Sequence, residues 1–382
     1  MRTEIPLGLY IHIPWCIKKC PYCDFNSHAV SREIPERRYV DALLLDLQQD
    51  LQRFQETRSI SHIFIGGGTP SLFSAEAMAR LLAGVRQQLP WTRQIEITLE
   101  ANPGTFESNK FAAYRALGIN RLSIGIQSFT DRYLRRLGRV HCAREAVQAV
   151  EIAHAAGFDN INLDLMFGLP GAAAGDSLRD VQTAIGLQPT HISLYQLTLE
   201  PNTYFHKYPP SLPDEDLSYS EQRNCRLLLA DNGYLQYEIS AYGKRQWQCR
   251  HNLNYWRFGD YLGIGAGAHG KITRSLPENI IRTWKTRHPE HYLENAGKSC
   301  HGGSQAIATA ELPLEFIMNS LRLHTGFSLG SYIARTGMDP APLEQSLGKY
   351  VRQGLLEHND GHYRCTARGR DFLDQILSEF VA

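Results

Sequence analysis

The sequence predicts an α/β fold: a partial (β/α)6, TIM-like barrel followed by a mostly helical, winged-helix-like C-terminal domain. Three observations predict this fold: short β-rich runs recur through the first half, helical segments separate them, and the alternation stops near residue 200. Strands that are joined by long crossovers lie parallel, as in layered and barrel α/β folds. Six such units predict a barrel that is open on one side.

The β-rich runs are predicted to be strands because they are short and rich in branched and aromatic side chains. They are LGLYIHI (7–13), HIFIGG (62–67), IEITLEA (95–101), RLSIGIQ (121–127), NINLDLMFG (160–168) and HISLYQLTL (191–199). Two of the segments between them, 39–54 and 75–89, have the composition of amphipathic helices, and in the second the apolar residues recur at helical spacing. Active sites of parallel α/β folds lie at the carboxyl ends of the strands, so the residues that follow each strand are the first candidates for a site.

The second half of the chain follows a different pattern. A loop rich in Pro, Tyr and acidic residues precedes a helix that is predicted to end at Asn232-Gly233, and a stretch rich in glycine and aromatic residues (251–270) follows. The tail contains helices and then two short strands, joined by a turn at Asn359-Asp360-Gly361. The predicted domains are therefore residues 1–205, 206–305 and 306–382.

The composition is that of an ordinary globular protein. The 40 Lys and Arg residues balance 39 Asp and Glu residues, which leaves a net charge of +1 and no overall field that would attract nucleic acid. No apolar stretch approaches membrane-spanning length, and the N-terminus lacks the features of a signal peptide. We therefore expect a cytoplasmic protein with reduced thiols and no nucleic-acid partner. A homodimer and a peripheral attachment at the inner face of the membrane stay open.

Three closely spaced cysteines follow the first predicted strand. Cys16, Cys20 and Cys23 stand at positions i, i+4 and i+7 of one loop, and soft thiolates favour iron–sulfur clusters or zinc. With three protein ligands, one iron of a [4Fe–4S] cube is left without a protein ligand. The alternative is a zinc site completed by a distant cysteine or by His28, for which the spacing is not standard. The other cysteines are scattered along the chain and predicted to be core or surface thiols.

Glycines and polar residues follow the next strands. GGGTP (66–70) comes directly after the second strand, and consecutive glycines let a ligand approach backbone N–H groups. Glu100, Gln127 and Asp164 end later strands, and Arg139 lies beyond the fourth strand. Any one of these residues is more often a structural cap, but their common position at one rim favours a zwitterionic ligand that carries ribose hydroxyls.

Together these motifs resemble those of the radical S-adenosylmethionine (SAM) enzymes. The segments YIHIPWCIKKCPYCDF, GGGTPS, EANPG, RLSIGIQSF and NLDLMFGLP are similar to the branch that holds oxygen-independent coproporphyrinogen III dehydrogenase and its relatives, and the resemblance covers most of the chain. It implies that Cys16, Cys20 and Cys23 bind a [4Fe–4S] cluster, whose fourth iron takes the amino and carboxylate groups of SAM. It also implies a SAM pocket lined by Tyr10, Tyr22, Gly67, Gly68, Thr69, Glu100, Gln127, Arg139 and Asp164.

Two functions occur in this branch. The dehydrogenases use SAM to decarboxylate two propionates of coproporphyrinogen III, and they carry a longer N-terminal extension and a further cysteine two residues after the third. This chain has nine residues before Tyr10 and has Phe25 in place of that cysteine. Both differences favour the second group, the heme chaperones, which pass heme to acceptors such as respiratory hemoproteins. Decarboxylation is the alternative, and whether the protein is an enzyme stays open.

The chaperone group also has a heme-binding motif, His-Asn-x-x-Tyr-Trp, which this chain contains as HNLNYW (251–256). The resemblance implies that heme contacts His251, Asn252, Tyr255 and Trp256, with His251 as the axial ligand of the iron. The chemistry is suitable, because imidazole ligates heme iron and aromatic rings pack on porphyrins. Without the resemblance, the residues alone favour a core turn with satisfied polar groups.

Overall fold

The computed structural model describes residues 5–104, 109–298, 301–378 and 380. Within these residues, a mixed sheet of twelve strands forms the framework, and each of the six predicted β-rich runs contributes one strand to it. The predicted α/β fold with a partial barrel is confirmed. The last of the six runs leaves the sheet three residues earlier than predicted, after Gln196.

The strands and helices are numbered in chain order. The strands are β1 (Leu7–Ile13), β2 (Trp15–Cys16), β3 (His28–Ala29), β4 (Ile60–Gly67), β5 (Trp91–Ala101), β6 (Arg121–Gln127), β7 (Asn160–Phe167), β8 (His191–Gln196), β9 (Leu235–Gln236), β10 (Ala241–Gly243), β11 (Asp260–Ile264), β12 (His269–Ser275), β13 (Asn279–Lys285), β14 (His301–Ala306), β15 (Phe327–Ser328), β16 (Leu356–Asn359) and β17 (His362–Cys365). The helices are α1 (Glu36–Phe54), α2 (Ala75–Gln88), α3 (Phe111–Ala116), α4 (Asp131–Arg136), α5 (Ala143–Ala155), α6 (Asp176–Gly186), α7 (Tyr204–Lys207), α8 (Glu215–Asp231), α9 (Arg250–Trp256), α10 (Pro289–Glu294), α11 (Leu312–Ser320), α12 (Leu329–Thr336), α13 (Ala341–Arg352), α14 (Ala367–Asp371) and α15 (Leu373–Ser378).

A parallel strand from late in the chain extends the barrel beyond the six predicted units. The sheet order is β14-β13-β12-β11-β1-β4-β5-β6-β7-β8-β10-β9, and all strands from β11 to β8 run parallel. Strand β11 lies beside β1, with Leu9 opposite Leu262 and Tyr10 opposite Gly263. Its short, glycine-containing sequence gives no clear strand period, which is why the sequence did not predict it. The last strand of the sheet, β14, ends at Ala306. The domain boundaries at residues 205 and 305 stay predictions.

The side chains of the parallel strands alternate between two environments. On β1, Leu7, Leu9 and Ile11 are at most 1% exposed and belong to the apolar core that also includes α1 and α2. The intervening residues point to the other face, where polar side chains meet across neighbouring strands: Ser123 of β6, Asn162 of β7 and His191 of β8 are linked by hydrogen bonds. A parallel sheet covered by apolar layers on both faces has continuous apolar strands. The alternation here instead gives the barrel a polar interior.

A second apolar cluster forms the C-terminal domain. Helices α11 to α13 pack around Phe316, Tyr332 and Leu347, and the hairpin of β16 and β17 follows, as predicted. Asp360 and Gly361 have positive φ angles of 49° and 70°, which a tight hairpin turn requires. In the part of the chain that the structure describes, no helix is both long and apolar enough to cross a membrane.

A buried ion cluster ties the antiparallel extension of the sheet to α1. Lys285 Nζ of β13 lies 2.6 Å from Asp46 Oδ1 and 2.7 Å from Asp50 Oδ2, and Tyr292 donates a hydrogen bond to Asp46. All three charged side chains are at most 1% exposed. Charges in an apolar interior are tolerated only when each is paired, so removing one partner leaves the others uncompensated.

We expect Lys285→Met to lower the free energy of unfolding by about 3–5 kcal/mol, because two buried carboxylates lose their cation. Urea denaturation followed by circular dichroism measures this loss. The control is Arg80→Met, which breaks the surface ion pair between Arg80 and Asp41. The side chains of Arg80 and Asp41 are each more than two-fifths exposed, so we expect the free energy of unfolding to change by at most about 1 kcal/mol. Equal effects of the two substitutions would contradict the prediction.

Candidate functional site

The three cysteines lie in one loop at the carboxyl end of β1. Strand β2 pairs with β3 and closes the loop at its base, with Trp15 opposite His28. Within the loop, the N–H of Cys23 donates to the carbonyl of Cys20 at 3.1 Å. All three thiols are free and partly buried. Burial raises the pKa of Cys16 and of Cys23, and the other cysteines of the loop raise both pKa values further.

A network of polar side chains connects this loop to the ends of three strands. Arg139 directs Nη1 at Cys20 Sγ (3.7 Å), while its Nη2 donates to Asn102 Oδ1 and to the carbonyl of Gly125, both at 2.7 Å. Asn102 in turn donates to Thr69 Oγ1 at 2.8 Å. Asn102 was not predicted, since an Asn before a proline usually indicates only a turn. Its position two residues after Glu100, at the same strand end, was the available signal.

The glycines of GGGTP allow two loops to approach each other closely. A Cβ at Gly68 would lie 2.5 Å from the carbonyl oxygen of Trp15, and Gly67 has φ +116°, a region that side chains rarely permit. Their N–H groups have partners inside the protein: Gly67 donates to Glu100 Oε2 at 3.0 Å, and Gly68 donates to the carbonyl of Ile13 at 2.7 Å. Binding of a ligand by these N–H groups therefore stays a prediction.

Two carboxylates face the interior of the barrel below the cysteine loop. Burial raises the pKa of Glu100 to about 7. The hydrogen bond from Gly67 opposes this rise, and the charge of Asp164 adds to it. Burial also raises the pKa of Asp164, which accepts hydrogen bonds from Asn162 (2.8 Å) and Ser123 (3.1 Å). A carboxylate with a raised pKa in a cleft is a frequent property of functional sites.

Gln127 and Tyr22 complete the predicted SAM residues. Gln127 has φ +71°, which is strained for a residue with a side chain, and it follows a bulge in the pairing of β6 with β7. The ring of Tyr22 lies 6.5 Å from that of Phe205, and burial raises its pKa while the charge of Arg139 opposes that rise. The structure therefore places Gly67, Glu100 and Gln127 at or near the carboxyl ends of their strands, whereas Tyr10 and Asp164 lie further inside β1 and β7.

Tyr10 connects this end of the barrel with the predicted heme motif. Its hydroxyl lies 2.8 Å from His12 Nδ1, and His12 Nε2 lies 2.9 Å from the carbonyl oxygen of Asn26 in the cysteine loop. Its ring stacks at 6.1 Å from the ring of His251 and at 6.3 Å from that of Phe64. A predicted SAM residue and the predicted heme ligand are thus in ring contact inside one barrel, which the sequence did not predict.

His251 is the second residue of α9, and its ring lies against the amino-terminal half of β4. The ring centroids are 4.8 Å from Phe64 and 5.2 Å from His62. Burial lowers the pKa of His251 well below its usual value, so the imidazole is neutral. Its Nδ1 is buried and has no hydrogen-bond partner among the described residues. The segment is a helix and not the core turn of the alternative prediction, and a structural role for His251 without heme stays the alternative.

The other residues of HNLNYW point in different directions. Tyr255 lies one helical turn from His251 and packs on Tyr261 at 5.1 Å. Trp256 instead faces the C-terminal domain, where the guanidinium of Arg322 lies 4.3 Å from its ring centroid. Asn254 donates to the carbonyl of Asp260 at 2.9 Å, which fixes the end of the helix. Asn252 is partly exposed in the middle of α9. The motif therefore places His251 and Tyr255 together, but not Trp256.

The residues present fit a [4Fe–4S] cluster. Three thiols lie on one loop, and the guanidinium of Arg139 is directed at one of the sulfurs, as hydrogen-bond donors are around such clusters. His28, one of the two candidates for the fourth ligand in the alternative of a zinc site, packs its ring on His288 at 5.5 Å. Among the described residues, no group of three or more His, Cys, Asp or Glu side chains is arranged to hold a single metal ion.

Comparison with known proteins agrees with this geometry. Residues 10–177 match the Radical SAM superfamily, and residues 307–372 match the HemN C-terminal domain. The chain is 48% identical to the heme chaperone HemW of Escherichia coli K12, over 99% of this chain and 98% of that protein. It belongs to the HemW family. The heme chaperone HemW of Haemophilus influenzae is also 48% identical, over 98% of each chain.

Membership of the HemW family, within the radical SAM superfamily, implies a [4Fe–4S] cluster and SAM as cofactors. The solved structure of coproporphyrinogen III oxidase (HemN) from Escherichia coli superposes with a TM-score of 0.83, over 99% of this chain and 91% of that one. At 21% identity, this likeness shows the shared fold alone.

We expect Cys16→Ser to prevent cluster assembly, because a hydroxyl is a poor ligand for the iron that the thiolate would hold. After anaerobic reconstitution with iron and sulfide, the bound iron and the visible absorbance measure the cluster. Cys142→Ser is the matched control, because Cys142 is partly buried, lies outside the loop and precedes α5, where serine is a good cap. A full iron content in Cys16→Ser would exclude Cys16 as a ligand.

Proposed function

We propose that this protein is a heme chaperone that binds heme through His251 and passes it to acceptor hemoproteins. The single observation that carries the proposal is the environment of His251, a neutral imidazole inside the barrel whose Nδ1 has no partner among the described residues. Two relatives that are 48% identical over nearly the whole chain are heme chaperones, which supports the same function.

The surroundings of His251 suit a porphyrin. Iron ligation requires a deprotonated ring nitrogen, and burial keeps this imidazole neutral. The rings of Tyr10, Phe64 and Tyr261 lie within 6.4 Å of the ring of His251 and provide aromatic surface for a planar apolar ligand. His251 would be the axial ligand, and Tyr255, one turn further along the same helix, would pack beside the porphyrin.

We assign the cluster to Cys16, Cys20 and Cys23, and SAM to the pocket around them. When both are bound, the cluster would supply an electron to SAM. Glu100 and Asp164 face the barrel interior, where they would accept hydrogen bonds from the ammonium and ribose hydroxyl groups of SAM. Arg139 holds the end of β6 close to Cys20, and its charge offsets the negative charge of the thiolates.

Oxidative decarboxylation of coproporphyrinogen III is supported by the shared fold alone, and we do not propose it. Phe25, 57% exposed, stands on the cysteine loop where the dehydrogenases carry their additional cysteine. The proposed acceptors include respiratory hemoproteins, and delivery to them would bring the protein to the inner face of the membrane, alone or as a homodimer.

We expect His251→Ala to weaken the Soret band of the heme-loaded protein and to lower hemin affinity at least about tenfold, because the iron loses its axial ligand. Spectrophotometric titration with hemin measures both quantities. His191→Ala is the control: His191 also lies in the barrel interior, but its Nδ1 and Nε2 are occupied by Asn162 and Tyr237 at 2.6 and 2.8 Å. Identical spectra and affinities in His251→Ala and the unmodified protein would refute the proposed ligand.

A further inference from the structure

Helix α9, which carries His251, depends on contacts from outside for its stability. It has only seven residues, Arg250–Trp256, and isolated helices of this length are unstable in water. Most of its residues are Asn, His, Tyr and Trp, which are poor helix formers. The position of the His251 ring is therefore determined by whatever fixes the start of this helix.

Glu96 of β5 provides that contact. Its Oε1 accepts a hydrogen bond from the N–H of Arg250 at 2.9 Å and one from the thiol of Cys249 at 3.8 Å. The first N–H groups of a helix have no partner within the helix, and a carboxylate at this end also interacts favourably with the helix dipole. Glu96 is 6% exposed, so water does not take its place.

We propose that Glu96 is a positioning residue of the heme site, which holds the first turn of α9 so that the imidazole of His251 stays in the barrel interior. The proposal rests on the proposed role of His251 as the heme ligand. Arg121, 2% exposed and on the neighbouring strand β6, supplies a positive charge near the buried carboxylate. Strands β5 and β6 thus carry the residues that hold the first turn of α9, although neither belongs to the HNLNYW motif.

The end of α9 has separate anchors. Asn254 donates to the carbonyl of Asp260, and Tyr255 packs on Tyr261, so the second turn stays attached to β11 without Glu96. Loss of the carboxylate therefore affects the first turn, which contains His251, more than the rest of the helix. We therefore expect the His251 imidazole to be present but displaced from the position in which it would bind the heme iron.

Hemin titration of variants tests this role. We expect Glu96→Ala to lower hemin affinity about tenfold, which corresponds to roughly 1.4 kcal/mol, and to shift the Soret band toward that of His251→Ala. Glu96→Gln keeps an oxygen that accepts the same hydrogen bonds, so its affinity and Soret position should stay within about twofold and close to those of the unmodified protein. If Glu96→Ala does not fold, Glu96→Asp replaces it in the test. The aspartate side chain is one methylene shorter, and we expect the same loss of hemin affinity and the same shift of the Soret band.

Glu221→Ala is the matched control. Glu221 is also a 6% exposed glutamate, and it accepts N–H bonds from Gly175 (2.8 Å) and Ser177 (3.0 Å) at the start of α6, away from α9. We expect it to lower stability but to leave hemin affinity unchanged. The double variant Glu96→Ala/His251→Ala should bind hemin no more weakly than His251→Ala, because Glu96 acts through His251.

Three outcomes would overturn the proposal, and they separate its failure from the failure of the proposed function. If His251→Ala weakens hemin binding while Glu96→Ala does not, or if Glu221→Ala weakens it equally, His251 is the ligand and Glu96 does not position it. If His251→Ala itself leaves hemin binding unchanged, the assigned ligand is wrong, and the positioning role is excluded with it.

Discussion

The alternation of side chains along the parallel strands is the constraint on which the rest of the structure depends. One set of residues, such as Leu9 on β1, packs against the helices, so the other set, including Tyr10 on the same strand, must face the barrel interior. That interior carries Glu100, Asp164, His62 and Arg121, and such groups are tolerated there because they are paired, hydrogen-bonded or neutral. A shift of one residue in any strand would exchange the two sets.

The same alternation explains why the cofactor end and the heme motif share one space. Gly68, at the carboxyl end of β4, packs against Trp15 at the base of the cysteine loop, whereas His251 enters the interior against His62, near the start of β4. Tyr10 lies between these regions, bonded to His12 on one side and stacked on His251 on the other. The ring of Tyr10 therefore lies between the proposed heme ligand, His251, and the other residues of the predicted SAM pocket.

Features that depend on local sequence were predictable, and those that depend on distant pairing were not. The strands, the cysteine loop and the turn at Asp360-Gly361 follow from nearby residues. Strand β11 beside β1, the bond from Arg250 to Glu96, and the contact of Tyr10 with His251 join residues that are more than 150 positions apart. No periodicity or short motif contains such a pairing, so only the folded chain shows it. For the HNLNYW motif, the sequence predicted four residues in contact with heme, and it did not predict that Trp256 would face the C-terminal domain.

We propose that the barrel holds heme for delivery and does not decarboxylate a porphyrinogen. The most direct measurement is an anaerobic incubation of the reconstituted protein with SAM, a reductant and coproporphyrinogen III, with a coproporphyrinogen III dehydrogenase assayed in parallel and the porphyrins separated by chromatography. We expect the parallel enzyme to form protoporphyrinogen while this protein leaves the substrate unchanged. Formation of protoporphyrinogen by this protein over repeated turnovers would contradict it.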